Sequence, residues 1–106
     1  MRNGIVSKHK VDENGNPTGG ATTGTGIRIQ WQNGPLGTGK DRKEPNGAFV
    51  EDVIDAARDR LEFYQGSQFR CNMNSLAIFH LEKALEFLDR RTKEREARGI
   101  EGTHTI

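Results

Sequence analysis

The chain has 106 residues, 16 basic and 15 acidic side chains, a net charge of +1, 32% apolar residues and 13 glycines. That near-neutral balance argues against a protein that grips duplex nucleic acid through a broad basic face. The single cysteine excludes a disulfide framework and suits a reduced, cytosolic setting; no run of about 18 apolar residues offers a membrane span, and Met1–Lys10 lacks a signal-peptide core. One soluble domain is expected, over 1–106. Its thin apolar content points to oligomerisation.

In chain order, Gly4 to Val11 is short and mixed, with Ile5, Val6 and Val11 as its apolar residues. Asp12 to Pro17 contains Asn14-Gly15, a hairpin turn signal. Thr18 to Gly26 is rich in Gly and Thr without periodicity, and reads as a loop or weak edge strand. Gly26 to Gln32 then alternates, with Ile27, Ile29 and Trp31 on one face and Arg28, Gln30 and Gln32 on the other, the clearest strand in the sequence. Asn33-Gly34-Pro35 ends it, and 36–46 is a polar loop.

A helix is expected from about Gly47 to Gln65, with Val50, Val53, Ile54, Ala57, Leu61 and Tyr64 as its buried stripe and Glu51 and Asp52 at its N-terminus. Gly66-Ser67 stops it. The longest helical pattern follows, Ser75 to Arg98, with Asn72, Asn74 or Ser75 as N-cap. Ile78, Leu81, Leu85 and Leu88 form its stripe, which Leu76, Ala77, Phe79, Ala84 and Phe87 widen beyond what one partner helix needs. The fold class is α+β: a small antiparallel N-terminal sheet (1–35), a loop (36–46), a two-helix hairpin (47–98) on which the sheet packs, and a tail (99–106).

Most charges of the long helix pair at i,i+4: Glu86 with Arg90, Asp89 with Lys93, Glu94 with Arg98. Arg91 and Arg95 are left over, four apart. Two like charges at that spacing cost roughly 0.2–0.5 kcal/mol, and an anion held between them would reverse the sign. The plainer reading is that cations here only complement the helix dipole. Tyr64 is either half-buried or a platform for stacking a base, worth about 1–3 kcal/mol. Asn74 reads as a cap, Arg28 as an exposed strand residue, and Trp31 as a core aromatic.

Gly34-Pro-Leu-Gly-Thr-Gly39-Lys40 has the spacing of a phosphate-binding loop, but Asp41 stands where Ser or Thr should ligate Mg²⁺ and no helix start follows. His9, His80 and His104 lie far apart, so no metal or other cofactor is expected. Cys71 lacks a histidine partner, and no acid–base pair is apparent, so an enzyme is not expected.

Trp31-Gln32-Asn33-Gly34-Pro35, Glu51-Asp52, Arg60-Leu61, Tyr64-Gln65, Phe69-Arg70-Cys71 with Asn74, Arg91-Thr92, Arg95-Glu96 and Gly99-Ile100-Glu101-Gly102-Thr103 form a series that resembles the first-described Thoeris anti-defence family of phage proteins. The resemblance runs from about Ile27 to Ile106. It implies a sponge that binds and sequesters, without cleaving, the cyclic ADP-ribose isomers made by bacterial TIR proteins, acting in the host bacterial cytoplasm. It further implies dimers that assemble into hexamers and, in some members, a separate site for cyclic oligonucleotides such as cyclic trinucleotides near the symmetry axis, which blunts cyclic-nucleotide (CBASS-type) defence. The family's stacking aromatic falls on Tyr64, its ligand-packing asparagine on Asn74, and its phosphate-facing arginines on Arg91 and Arg95. Arg28 and Arg60 are the exposed cations that symmetry would cluster at the second site. Residues 1–26 and 36–46 depart from the family pattern, and Tyr64 carries a hydroxyl that needs a partner. The competing reading is a small nucleic-acid-binding or protein-interaction module that uses the basic helix end Arg90 to Arg98.

Overall fold

Two tight turns, each with a glycine at positive φ (Gly15 at +80° and Gly26 at +81°), fold residues 6–30 into a three-stranded meander. The computed structural model describes residues 4–106; residues 1–3, on which part of the N-terminal reading falls, lie outside the described residues. β1 (Val6–Val11), β2 (Pro17–Gly24) and β3 (Ile27–Gln30) pair antiparallel in the order β1-β2-β3. The stretch expected as a loop or weak edge is therefore the central strand. Its composition fits that place for a local reason: the register shifts between His9 and Val11, and a Cβ on Gly20 (φ +125°) would overlap the Lys8 carbonyl oxygen. Only glycine lets β1 and β2 approach there.

Across the sheet Ser7, Thr22 and Ile29 share one register row. The Thr22 hydroxyl lies 2.8 Å from the Ser7 hydroxyl and accepts the Trp31 indole N–H at 2.9 Å. Thr22 is buried, and Ile27, Ile29 and Trp31 are half-buried on that side, whereas Arg28 and Gln30 are exposed, as the alternation predicts. Trp31 is held as a packed aromatic.

The first helix begins three residues later than expected. Ala48 donates to the Gln30 carbonyl at 2.7 Å and accepts from the Gln32 N–H at 3.0 Å, so 47–48 lie beside the end of β3 in a parallel bridge with Trp31. A Cβ on Gly47 would come within 2.6 Å of the Trp31 carbonyl, so this contact too requires glycine. α1 then runs Val50–Gln65 and α2 runs Asn72–Ala97. The cap of α2 is Cys71 rather than Asn72, Asn74 or Ser75.

Contacts divide the chain into two compact units, one running up to Phe49 and joined by 99–106, the other spanning 50–98. In the first, the tail closes on the polar loop: Arg42 makes a two-pronged ion pair with Glu101 (2.7 and 3.0 Å), and the Gly37 N–H donates to the Gly102 carbonyl at 2.8 Å. A side chain at Gly102 would strike the Gly37 carbonyl. Within the phosphate-loop-like segment, that N–H is already taken and only a three-residue 3₁₀ turn, Gly39–Asp41, follows. The second unit is an antiparallel helical hairpin. Among the described residues no apolar side chain of the chain is fully buried.

Alanine at Gly20 should cost about 3 kcal/mol or more in urea unfolding, because strain and overlap combine. Gly26→Ala, with open space around its Cβ, should cost only about 1–2 kcal/mol. A second expectation concerns Asp12, whose carboxyl the backbone N–H of Asn16, and then that of Asn14, hold below the ordinary carboxylate range. A depressed folded value means that the turn's contribution is complete at neutral pH and fades as pH falls through it. Asp12→Asn should flatten the acid limb of a stability–pH curve at that point.

Candidate ligand-binding site

The helix pair is built from two stripes on α2. Asn74, Ile78, Leu81, Leu85, Leu88, Thr92 and Arg95 are half-buried at alternating spacings of four and three, the seam that faces α1. From α1, Val53, Ile54, Leu61 and Tyr64 meet it, while Val50 and Ala57 of the expected stripe stay exposed. Arg58 takes a place on this seam that the apolar pattern does not reveal. It binds Asp55 at 2.8 Å, lies 3.6 Å from Glu82 of α2 and 4.0 Å from Glu62, and its hydrogen bond to Asp55 raises its affinity for the proton. Acids three and four residues away on both sides were its only sequence signal.

The second stripe, Met73, Ala77, His80, Ala84 and Phe87, runs along α2 flanked by Leu76 and Phe79; all of these are exposed except Ala84, which is half-buried. Met73 is 69% and Phe87 64% exposed. Arg91 extends this uncovered line and is exposed, whereas Arg95, one turn on, is half-buried on the seam. The three i,i+4 ion pairs expected around them form at 2.9, 3.0 and 3.2 Å. Among the described residues Arg91 has no ion-pair partner.

Tyr64 and Asn74 both lie at the opposite end, where the helices turn. The Tyr64 carbonyl accepts from the Ser67 N–H (3.0 Å) and hydroxyl (2.6 Å). Its phenolic oxygen accepts from Arg60 Nε at 3.2 Å, which supplies the partner that the extra hydroxyl needs. Phe63, 62% exposed, lies with its centroid 6.1 Å from the Tyr64 ring. Asn74 reaches the Phe69 carbonyl at 3.5 Å and serves the turn rather than the helix cap. The cap work falls to Gln65, whose amide oxygen accepts from the Cys71 N–H at 3.0 Å while its nitrogen donates to the Cys71 carbonyl (3.0 Å) and the Ser75 hydroxyl (2.8 Å).

The candidate residues thus fall into two groups. Tyr64, Asn74 and Arg60 share the turn; Arg91 and Arg95 share the far end of α2. Asn74 and Arg91 are seventeen residues apart on one unbroken helix, about 25 Å. Arg28 stands on the open side of β3, in the other unit. Among the described residues no cluster of three metal-binding side chains occurs, and no helix is long and apolar enough to cross a membrane.

A helical hairpin with an aromatic turn, an arginine-bearing end and an uncovered apolar stripe defines a hairpin-domain protein. The family model described as "Acb2/Tad1, hairpin domain" matches residues 24–93, well over half of the chain, and the chain belongs to that family. The match takes in Arg28, Arg60, Tyr64, Asn74 and Arg91; β1, nearly all of β2, Arg95 and the tail lie outside it. The chain is also 51% identical over 59 residues to a protein of Bacillus phage SBSphiJ7 named "Thoeris anti-defense 1". That similarity covers 56% of this chain and 42% of the relative's length.

Gln65→Ala removes three bonds from the hairpin turn and should lower stability by about 1–2 kcal/mol. Thermal unfolding followed by circular dichroism checks this, with Gln68→Ala, at an exposed position of the same turn, expected to change little.

Proposed function

We propose that the chain is a phage anti-defence sponge that acts in the host cytoplasm. It binds cyclic ADP-ribose isomers made by bacterial TIR proteins and withholds them, uncleaved, from the defence effector. The ligand joins a pyrophosphate, two riboses and an adenine. It calls for charged, two-pronged donors for the phosphates and an aromatic face for the base. Arg91 and Arg95 supply the first, Tyr64 the second, and Asn74 packs beside it.

The observation that carries this reading is the separation of the two groups along α2. No ligand of this size spans about 25 Å, so each site is shared by two copies, the turn of one meeting the arginine end of the other. The apolar stripe from Met73 to Phe87 joins these ends and is the surface that an antiparallel second copy would cover. Burial of such a stripe contributes about 25 cal/mol per Å². Dimers of this kind are the unit from which the hexamer implied by the family resemblance would be built, and Arg28 remains a candidate contact for cyclic trinucleotides at a second site there. A nucleic-acid module at the basic helix end is the poorer reading, because Arg90, Lys93 and Arg98 are engaged by acids of their own helix.

Calorimetric titration with a panel of TIR-made cyclic ADP-ribose isomers should show tight binding, with intact ligand released on heating; no binding by any isomer would overturn the assignment. Arg91→Ala and Arg95→Ala should each weaken affinity tenfold or more, at about 1.5–3 kcal/mol per charged hydrogen bond. Mixing Tyr64→Ala chains with Arg91→Ala/Arg95→Ala chains should restore binding at one site per mixed dimer. A site confined to one chain would give no such rescue.

A further inference from the structure

The sequence offers Arg60 as an exposed cation for a second ligand site, but in the structure its side chain is engaged at the turn. Its Nε donates to the Tyr64 hydroxyl at 3.2 Å, and its guanidinium carbon lies 5.0 Å from the Tyr64 ring centroid and 4.9 Å from that of Phe63. We infer that Arg60 is the positioning residue for Tyr64, holding the ring in one orientation before any ligand arrives. This rests on the reading of Tyr64 as the platform for the adenine.

The geometry follows from helix periodicity. Residue 60 is one turn before residue 64 on α1, and helical side chains lean towards the N-terminus, so the phenol reaches back to the guanidinium. The Tyr64 backbone is fixed separately, because its carbonyl takes both the N–H and the hydroxyl of Ser67. With its carbonyl and its hydroxyl both held, the ring loses its freedom before binding. An aromatic that must be ordered on binding loses affinity to that ordering; one already held does not. A phenylalanine here would stack equally well but could not be tethered. The Tyr64 hydroxyl therefore has a role, and Arg60 is what gives it one.

Tyr64 is the only tyrosine in the chain, so selective ¹³C-tyrosine labelling reports this ring alone. In the ligand-free protein the wild-type ring should be restrained, and in Arg60→Met, which keeps the stem but has no donor, its resonances should average as those of a freely rotating side chain do. For binding, a cycle of wild type, Arg60→Met, Tyr64→Phe and the double variant is titrated with the tightest-binding isomer of the panel. Each single change should weaken affinity about three- to tenfold, and the double change no more than either alone. Losses that multiply in the double variant, or a ring as ordered in Arg60→Met as in wild type, overturn the tether. If Arg60→Met does not fold, Arg60→Ala, which also lacks the donor, should reproduce the same losses. Tyr64→Ala that binds as tightly as wild type would instead sink the assignment of the site, while ring order in the free protein still decides the tether.

Discussion

One unbroken helix governs the second unit. α2 runs from Asn72 to Ala97 without a glycine or proline, so the distance between the hairpin turn and the arginine end is fixed by backbone hydrogen bonds rather than by loop conformation. Its two apolar stripes divide the work. The seam from Ile78 to Leu88 holds α1; the line from Met73 to Phe87 is left for something else. A side chain's functional place follows from which line it extends, and Arg91 and Arg95, though one turn apart, extend different ones.

Much of the hairpin was legible in the sequence because its determinants are local. Heptad-like spacing, the three Glu/Asp-to-Arg/Lys pairs at i,i+4 and the Gly66-Ser67 stop each act within a turn or two, and each appears where the pattern places it. In the β-sheet, β3 was legible from its strong alternation and the first hairpin from Asn14-Gly15, but β2 was not. β2 is built from Gly, Thr and Ala, and its centrality depends on close approach to β1 and on the paired hydroxyls of Ser7 and Thr22, both long-range facts. Gly47-Ala48 was misread for a related reason. Intrinsic propensity assigned the pair to a helix, whereas tertiary hydrogen bonds committed it to the end of a strand.

The candidate site was legible as residue types but not as geometry. Two arginines four apart and an aromatic at a helix end are visible in one dimension; that they sit at opposite ends of the hairpin is not. The Arg60–Tyr64 contact stands between these cases, since its i,i+4 spacing is open to inspection but the hydrogen bond itself is seen only in the fold.

The closing of the tail on the polar loop bears on how the molecule comes into being. Arg42 and Glu101 are separated by the whole hairpin, so the first unit is discontinuous and its last tie comes from 99–106. During synthesis the strands emerge first yet wait for the helices to be made before that clamp can shut. The hairpin, whose two helices pack on each other, can form in the interval and shorten the span that must close, which lowers the entropic cost of joining two distant stretches of chain. The clamp of the tail on the polar loop is thereby the contact that the topology makes wait for the whole chain.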